Sequence, residues 1–431
     1  MALPILFFGA VGWHVASWVS LSLGFLNPLF NDATRRLGQG SDFFAVYHAG
    51  TSFLGNQSLY ELEGRFPPFP FAYEFRYVPS MAYMVGAPLN LLSPWQAYWA
   101  WLAFNEMLLI ANSVLTWRYA RDQPLRWLGC AMWLSFTPVY LEFYLGQFSF
   151  LMATLFFWMG LGLAARNRLL TGAAWATSLV VKTNSLLFIP IFLRMRSLTV
   201  VIAGLAFAVA LNAPYFIMKP AGFNSWTDNF SGLLAGGTID FHAGALGLRN
   251  LLAAIGWLAD ARPGPVLDVV GPVAELPVWA PTVACVSLLA TFIQRRFDPI
   301  IALAIWVSAY FLIYPDVWEH QYVMLLPILV LLLILRPQYA PLTLVVYAIT
   351  ALPTPYWLLE ELEGNPLEMR NPLGSDAQQA WTAWEIVLYH LAKVGPTLLL
   401  WSTLVHASLR SLDWRLMAQP RGSRRRRAAG G

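Results

Sequence analysis

Residues 166–196 read RNRLLTGAAWATSLVVKTNSLLFIPIFLRMR. The apolar run between the two arginine pairs is long enough to cross a bilayer, yet Lys182-Thr183-Asn184 stands in its middle. Two topologies follow. If the run crosses, Arg194 and Arg196 lie outside, and so do the later basic residues Arg295, Arg296, Arg336 and the terminal arginines. If it enters and returns as two half-helices, all of these share the cytoplasmic face with Arg118, Arg121, Arg126, Arg166 and Arg168. Short loops rich in Lys and Arg stay inside, so the broken hairpin is the expected form. Non-helical backbone at that depth must be buried in protein or line a wet cavity. Arg35 and Arg36, which follow the first span, run the other way and weigh less than the later clusters.

The rest of the chain supports a membrane reading. Of 431 residues, 58% are hydrophobic and 12% charged, about half the charge of a soluble protein. Apolar runs of membrane length recur from end to end. The expected fold is all-α, a polytopic bundle of about ten full spans plus the hairpin. The spans fall near 3–26, 95–117, 127–145, 147–165, 197–218, 278–294, 299–314, 319–335, 339–357 and 382–409. The first lacks a basic leading region and an evident cleavage site, so it reads as a retained helix. Residues 1–410 form one integrated domain with outer loops at 27–93, 219–276 and 358–381, and 411–431 form a basic cytoplasmic tail. Arg424-Arg425-Arg426-Arg427 anchors that tail at an anionic leaflet and carries no nucleic-acid role. Cys130 and Cys285 both sit in apolar runs and suggest neither a disulfide nor a metal site.

Within the first outer loop, residues 43–54 read as an amphipathic helix in the interface. Pro67, Pro68 and Pro70 break the chain, and 77–92 read as a second surface or half-buried helix. The second outer loop carries Asn224, Trp226, Asp228 and Asn229 and a helix-like piece near 243–257. The third is acidic, with Glu360, Glu361, Glu363, Glu368 and Asp376.

Few side chains in so apolar a chain carry chemistry. Asp42, in Gly40-Ser41-Asp42-Phe43-Phe44, places a carboxylate at the edge of a membrane domain. The bland account makes Ser41 or Asp42 a helix N-cap. The chemical account makes Asp42 a general base for a hydroxyl attacking an activated carbon, ahead of the nearby Asp32. A mid-membrane lysine is costly and usually functional. Lys182, with Thr183-Asn184-Ser185 capping the second half-helix, forms an anion site suited to a lipid phosphate; snorkelling or a structural pair is the alternative. In Trp318-Glu319-His320-Gln321-Tyr322, Glu319 and Asp316 read as early-turn dipole partners. His320 reads either as an idle interfacial histidine or as a donor to phosphate or sugar. Gly146-Gln147, with Glu142 and Tyr144, caps the outer end of a hairpin, and Gln147 can hydrogen-bond a ligand. Arg76 supplies an outer-loop cation, or is simply interfacial. No histidine pair or cysteine neighbour indicates a metal, and no phosphate loop, nucleophile elbow or spaced carboxylate pair is evident. No cofactor is expected.

Asp42 with Phe-Phe-Ala-Val-Tyr, Gly55…Leu59-Tyr60, Tyr77-Val78-Pro79, Pro88-Leu89, Gly146-Gln147-Phe148-Ser149, the basic-flanked hairpin with Lys182, and Trp318-Glu319-His320-Gln321-Tyr322 together resemble glycosyltransferase family 87. The order holds over about residues 3–335. The resemblance implies the C-type glycosyltransferase fold and an inverting transfer, as in polyprenyl-phosphomannose-dependent α-1,2-mannosyltransferases. It implies Asp42 as base, with Lys182 and His320 at the donor phosphate. The substrate-binding set is then Lys182, His320, Arg76, Gln147, Asn184 and Glu319. The implied partners are a polyprenyl-phosphate sugar donor, a glycolipid or glycan acceptor, and membrane lipids. The chain departs from its relatives at Arg76-Tyr77-Val78-Pro79, where they often carry Tyr-Pro-Pro, and at Gln147-Phe148-Ser149, where Asn commonly follows Gln. Two other classes fit the pattern of broken helices and a deep lysine: a transporter or lipid flippase, and a lipid-linked sugar-polymer ligase.

Overall fold

The computed structural model describes residues 2–30, 34, 38–60, 75–120, 125–234, 246–261, 278–314, 317–359 and 381–410. Asp32, Arg35, Arg36, the proline cluster at 67–70, Arg121, Pro315, Asp316, the acidic residues of the third loop and the tail 411–431 lie outside them, as do the side chains of Asp228 and Asn229.

The described chain is helical, as the composition requires. In order come α1 (Ala2–Leu23), α2 (Ser41–Leu54), α3 (79–89), α4 (Pro94–Tyr119), α5 (Arg126–Ser135), α6 (Pro138–Leu145), α7 (Ser149–Ala164), α8 (Arg168–Val181), α9 (Thr183–Arg194) and α10 (Leu198–Met218). They are followed by α11 (Pro220–Leu234), α12 (Leu248–Ala261), α13 (Trp279–Ile293), α14 (Pro299–Ile313), α15 (Glu319–Leu335), α16 (Pro337–Thr350) and α17 (Ala383–Arg410). The expected runs are found within a few residues, but many are interrupted. The run at 127–145 splits at Phe136, which is extended, and a new helix opens with Thr137 at its N-cap and Pro138 at its first position, where proline's missing N–H costs nothing.

The expectation of about ten full spans is not met. Among the described residues α1 and α10 have the length and apolarity to cross a membrane, and α15 with α16 makes a third if the 117° bend between them is counted within one span. α7, α8, α9, α13 and α14 are apolar but shorter.

The hairpin is present. Lys182 is extended (φ −146°, ψ 133°) between α8 and α9, and the chain reverses there. Trp175 Nε1 donates to Ser185 O at 2.8 Å, and the Trp175 and Phe192 rings stand 4.8 Å apart. A straight helix would separate residues 175 and 185 by about 15 Å. The reversal returns Arg194 to the end from which Arg168 departs. There Arg194 donates to Gln294 O at 2.8 Å, and Arg336 binds Asp298, the N-cap of α14, through Nη2 at 2.9 Å. Gln294 also holds Ser408 near the end of α17. The basic loops therefore share one end of the bundle.

Lys182 is not at the middle of a crossing helix. Ser80 donates through Oγ to Val180 O and through N to Asn212 Oδ1, both at 2.8 Å. Asn212 stands six residues before Met218 in α10, so the hairpin tip lies about 9 Å short of that helix's end.

α2 departs from its expected interfacial setting. Ten of its 14 residues are buried, including Phe43, Phe44, Val46 and His48. The physical reason is a glycine contact: a Cβ at Gly50 would fall 2.2 Å from the Gly86 carbonyl carbon, so α3 lies backbone-to-backbone on α2 and covers it. α3 carries a π-turn at Ala82–Gly86, a feature frequent near functional sites.

Candidate active site

The end of the bundle opposite the arginines gathers most of the sequence's candidates. Gly146 closes α6 in the left-handed conformation (φ 66°), and a Cβ there would meet Phe43 Cβ at 2.6 Å. Only glycine suits both demands. The close approach seats the 142–150 turn on α2, and Gly40 N–H donates to Tyr144 O at 2.8 Å. Gly40 is the N-cap of α2, and no side chain caps that helix. Asp42 is thus a first-turn residue of α2, not its cap, and is half-buried.

Lys182 approaches the same turn from the hairpin tip. Its Nζ donates to Ser149 Oγ at 3.0 Å and lies 5.6 Å from the centre of the Tyr77 ring. Asp42 and Glu142 are both within electrostatic reach of the lysine, and His320 lies within reach of it from α15. Asp42, Lys182 and His320, drawn from three distant parts of the sequence, therefore lie near one another. Tyr77 closes one side. Burial first, then the carboxylates of Asp42 and Glu142, raise its pKa well above the ordinary phenol value. It keeps its proton and donates a hydrogen bond to Gln147 Oε1 at 2.8 Å. Gln147 O accepts from Trp101 Nε1 at 3.2 Å.

Buried polar atoms normally find partners. Here Asn184 Oδ1, His320 Nε2 and Glu142 Oε2 find none among the described residues. All three belong to residues beside Lys182 in sequence or within its field. Lys182 itself uses one of its three ammonium N–H groups, on Ser149. An anionic, polar ligand would find here both a cation and waiting hydrogen-bond groups.

Two expectations change. Thr183-Asn184-Ser185 do not cap the second half-helix; they form its opening 3₁₀ turn, with Lys182 at the N-cap and no side-chain cap bond. Glu319 is taken up elsewhere: Lys393 Nζ binds its Oε1 at 2.8 Å, and Thr354 donates to its two oxygens at 2.9 and 2.8 Å. It braces α15 against α17, with both oxygens engaged inside the protein. Arg76 is exposed between buried Phe75 and half-buried Tyr77, at the rim.

Sequence reasoning underrated Glu142. It lies in the last turn of α6, is 1% exposed, and accepts from Phe150 N at 2.6 Å, so it caps α7 from the preceding helix. The signal that singles out Lys182, a charge in an apolar run, applies equally to Glu142. Its hundred-residue separation from Asp42 hid the pairing. Among the described residues no cluster of His, Cys, Asp and Glu has the form of a metal site.

An open apolar groove lies apart from this cluster, lined by Phe216, Ile217, Phe223 and Asn224 among others. It is joined to the cluster through Tyr60, which stacks on Phe216 and donates to Tyr77 O at 3.0 Å.

No curated protein matches the chain. Residues 75–315, more than half of it, match the family model for Glycosyltransferase family 87. The match takes in Arg76, Glu142, Gln147, Lys182 and Asn184, and leaves Asp42, Glu319 and His320 outside. An all-α chain with membrane-length apolar helices, a basic end and a polar cluster at the far end agrees with that assignment, and the protein is a member of glycosyltransferase family 87.

Proposed function

We propose that the protein transfers a hexose, mannose by the resemblance of its motifs, from a polyprenyl-phosphate donor to a glycolipid or glycan acceptor. The carrying observation is the convergence of Asp42 and His320 on Lys182, whose remaining ammonium N–H groups have no protein acceptor among the described residues. The acceptor oxygen forms a bond to the anomeric carbon as the bond from that carbon to the phosphate oxygen breaks. The electron pair leaves with the phosphate, and the acceptor's hydroxyl proton passes to the Asp42 carboxylate. Attack from the face opposite the leaving group inverts the configuration. Lys182 stabilises the charge that develops on the departing phosphate, and His320 Nε2 and Asn184 complete its surroundings. Gln147, fixed by Tyr77 and Trp101, lines the sugar side. Arg76 meets the anionic donor at the rim.

The arginine-rich end is cytoplasmic by the positive-inside rule, so transfer takes place on the extracytoplasmic side of the cell membrane in a multi-pass protein. A reporter enzyme fused after Arg196 should be active only in the cytoplasm; activity outside would reverse this orientation. For the chemistry, membranes containing the protein are supplied with labelled polyprenyl-phosphomannose. Wild-type protein should move label onto lipid or glycan, and D42N should not. Near-normal transfer by a well-expressed D42N would reject Asp42 as the base. Family membership weighs against the transporter and flippase readings.

A further inference from the structure

Two carboxylates face Lys182, and the mechanism above uses one. Glu142 divides its own oxygens between two tasks. Oε1 is committed to the first turn of α7, accepting from Phe150 N at 2.6 Å. That turn carries Ser149, the hydroxyl that receives Lys182 at 3.0 Å. Oε2 is buried and has no donor. A buried carboxylate oxygen left bare is costly: the backbone N–H groups of Phe150 and Ser149 approach the carboxylate but neither bonds Oε2, while Lys182 bonds Ser149 Oγ, Tyr77 bonds Gln147, and Asp42 is itself an acceptor.

We infer that Glu142 is a second catalytic residue, whose Oε2 accepts a hydrogen bond from a hydroxyl of the transferred sugar. The inference rests on the transfer reading above. Glu142 takes no proton and forms no covalent bond. As the bond to phosphate lengthens, positive charge grows on the sugar ring and its hydroxyls become better donors. A hydrogen bond to a fixed carboxylate then strengthens in the transition state, which raises turnover more than it tightens substrate binding. Lys182 stabilises the negative side of the same transition state, and Glu142 the positive side.

The test uses the full-length protein in membranes, with labelled polyprenyl-phosphomannose as donor and sugar-free polyprenyl phosphate as competing ligand. E142Q keeps the volume and an oxygen for the Phe150 N–H. It should lower kcat about 10- to 100-fold with KM within about threefold, and leave inhibition by polyprenyl phosphate unchanged, because that ligand has no sugar. E142D restores the charge at shorter reach and should recover part of the lost kcat. An E142Q with wild-type kcat overturns the inference. So does inhibition by polyprenyl phosphate that weakens in step with turnover, or an E142D no better than E142Q. Should E142Q fold poorly, the E142D profile decides: kcat reduced with intact polyprenyl phosphate inhibition supports the role, and both reduced together refutes it. D42N run alongside separates the two claims. A silent E142Q with an inactive D42N rejects Glu142 alone, an active D42N rejects Asp42 as the base, and wild-type membranes that move no label reject the transfer reading beneath both.

Discussion

Among the described residues two lysine–glutamate arrangements stand in apolar surroundings, and they are built differently. Lys393 and Glu319 touch at 2.8 Å. Lys393 spends its other donors on Thr350 O at 2.8 Å and Leu352 O, and Glu319 is completed by Thr354. Every strong hydrogen-bonding group is used inside the protein. Lys182 and Glu142 share a field but form no ion pair: Lys182 bonds Ser149 Oγ and Glu142 accepts from Phe150 N; each keeps capacity unspent. Both sites put a cation and an anion in an apolar interior, and each ion costs several kcal/mol to desolvate. The saturated pair recovers that cost in folding. The unsaturated one leaves part of it for a ligand to recover. Residue type alone does not separate them; donor and acceptor accounting does.

That contrast predicts which substitutions attack chemistry and which attack the fold. The largest effect belongs to the acid of the unsaturated site: D42N should reduce turnover roughly 10²- to 10⁴-fold while the thermal unfolding midpoint stays at the wild-type value, measured on detergent-solubilised protein. Next comes the saturated site. K393M strands Glu319 without its cation and should cost about 3–5 kcal/mol of stability, seen as loss of folded protein on size-exclusion chromatography; an enzyme that folds normally and loses only donor affinity would place Lys393 in catalysis. K182M should do the reverse, raising the donor KM about 10- to 100-fold with stability changed by no more than about 1 kcal/mol. Equal damage to stability from both lysine variants would erase the distinction. The smallest effect is expected for R76A: an exposed rim charge steers encounter, so kcat/KM should fall only about two- to threefold at low salt and less at high salt.

The convergence also explains what reading the chain in one dimension can reach. The hairpin was legible, because arginine pairs at both ends of an apolar run with Lys182 between them admit few topologies. The three-dimensional signature, Trp175 against Ser185 and Phe192, agrees with that reading. The number of spans was not legible. Apolarity marks a segment as buried in something greasy, whether lipid or other helices, and the stretches near Phe136 and Arg336 break where local backbone geometry, not hydropathy, decides. Asp42 stood out as a lone acid near a span. Glu142, an acid in just as apolar a setting, was absorbed into a turn motif because nothing along the chain ties it to Asp42 or Lys182. Glu319 was drawn into the site by its neighbour His320, although adjacent residues of a tight helix point in different directions.

From the amino-acid order alone come the helical class, the membrane setting, the basic end and the two residues, Asp42 and Lys182, with most reason to be reactive. These follow from composition, charge placement and the cost of isolated charges in apolar surroundings, all of which are local properties. Only tertiary structure decided that Glu319 is spent on Lys393, that α2 is a core helix, and that Glu142 holds an unpartnered oxygen near Lys182. Those outcomes depend on which distant groups meet, and pairing across a hundred residues or more leaves no periodic trace in the chain.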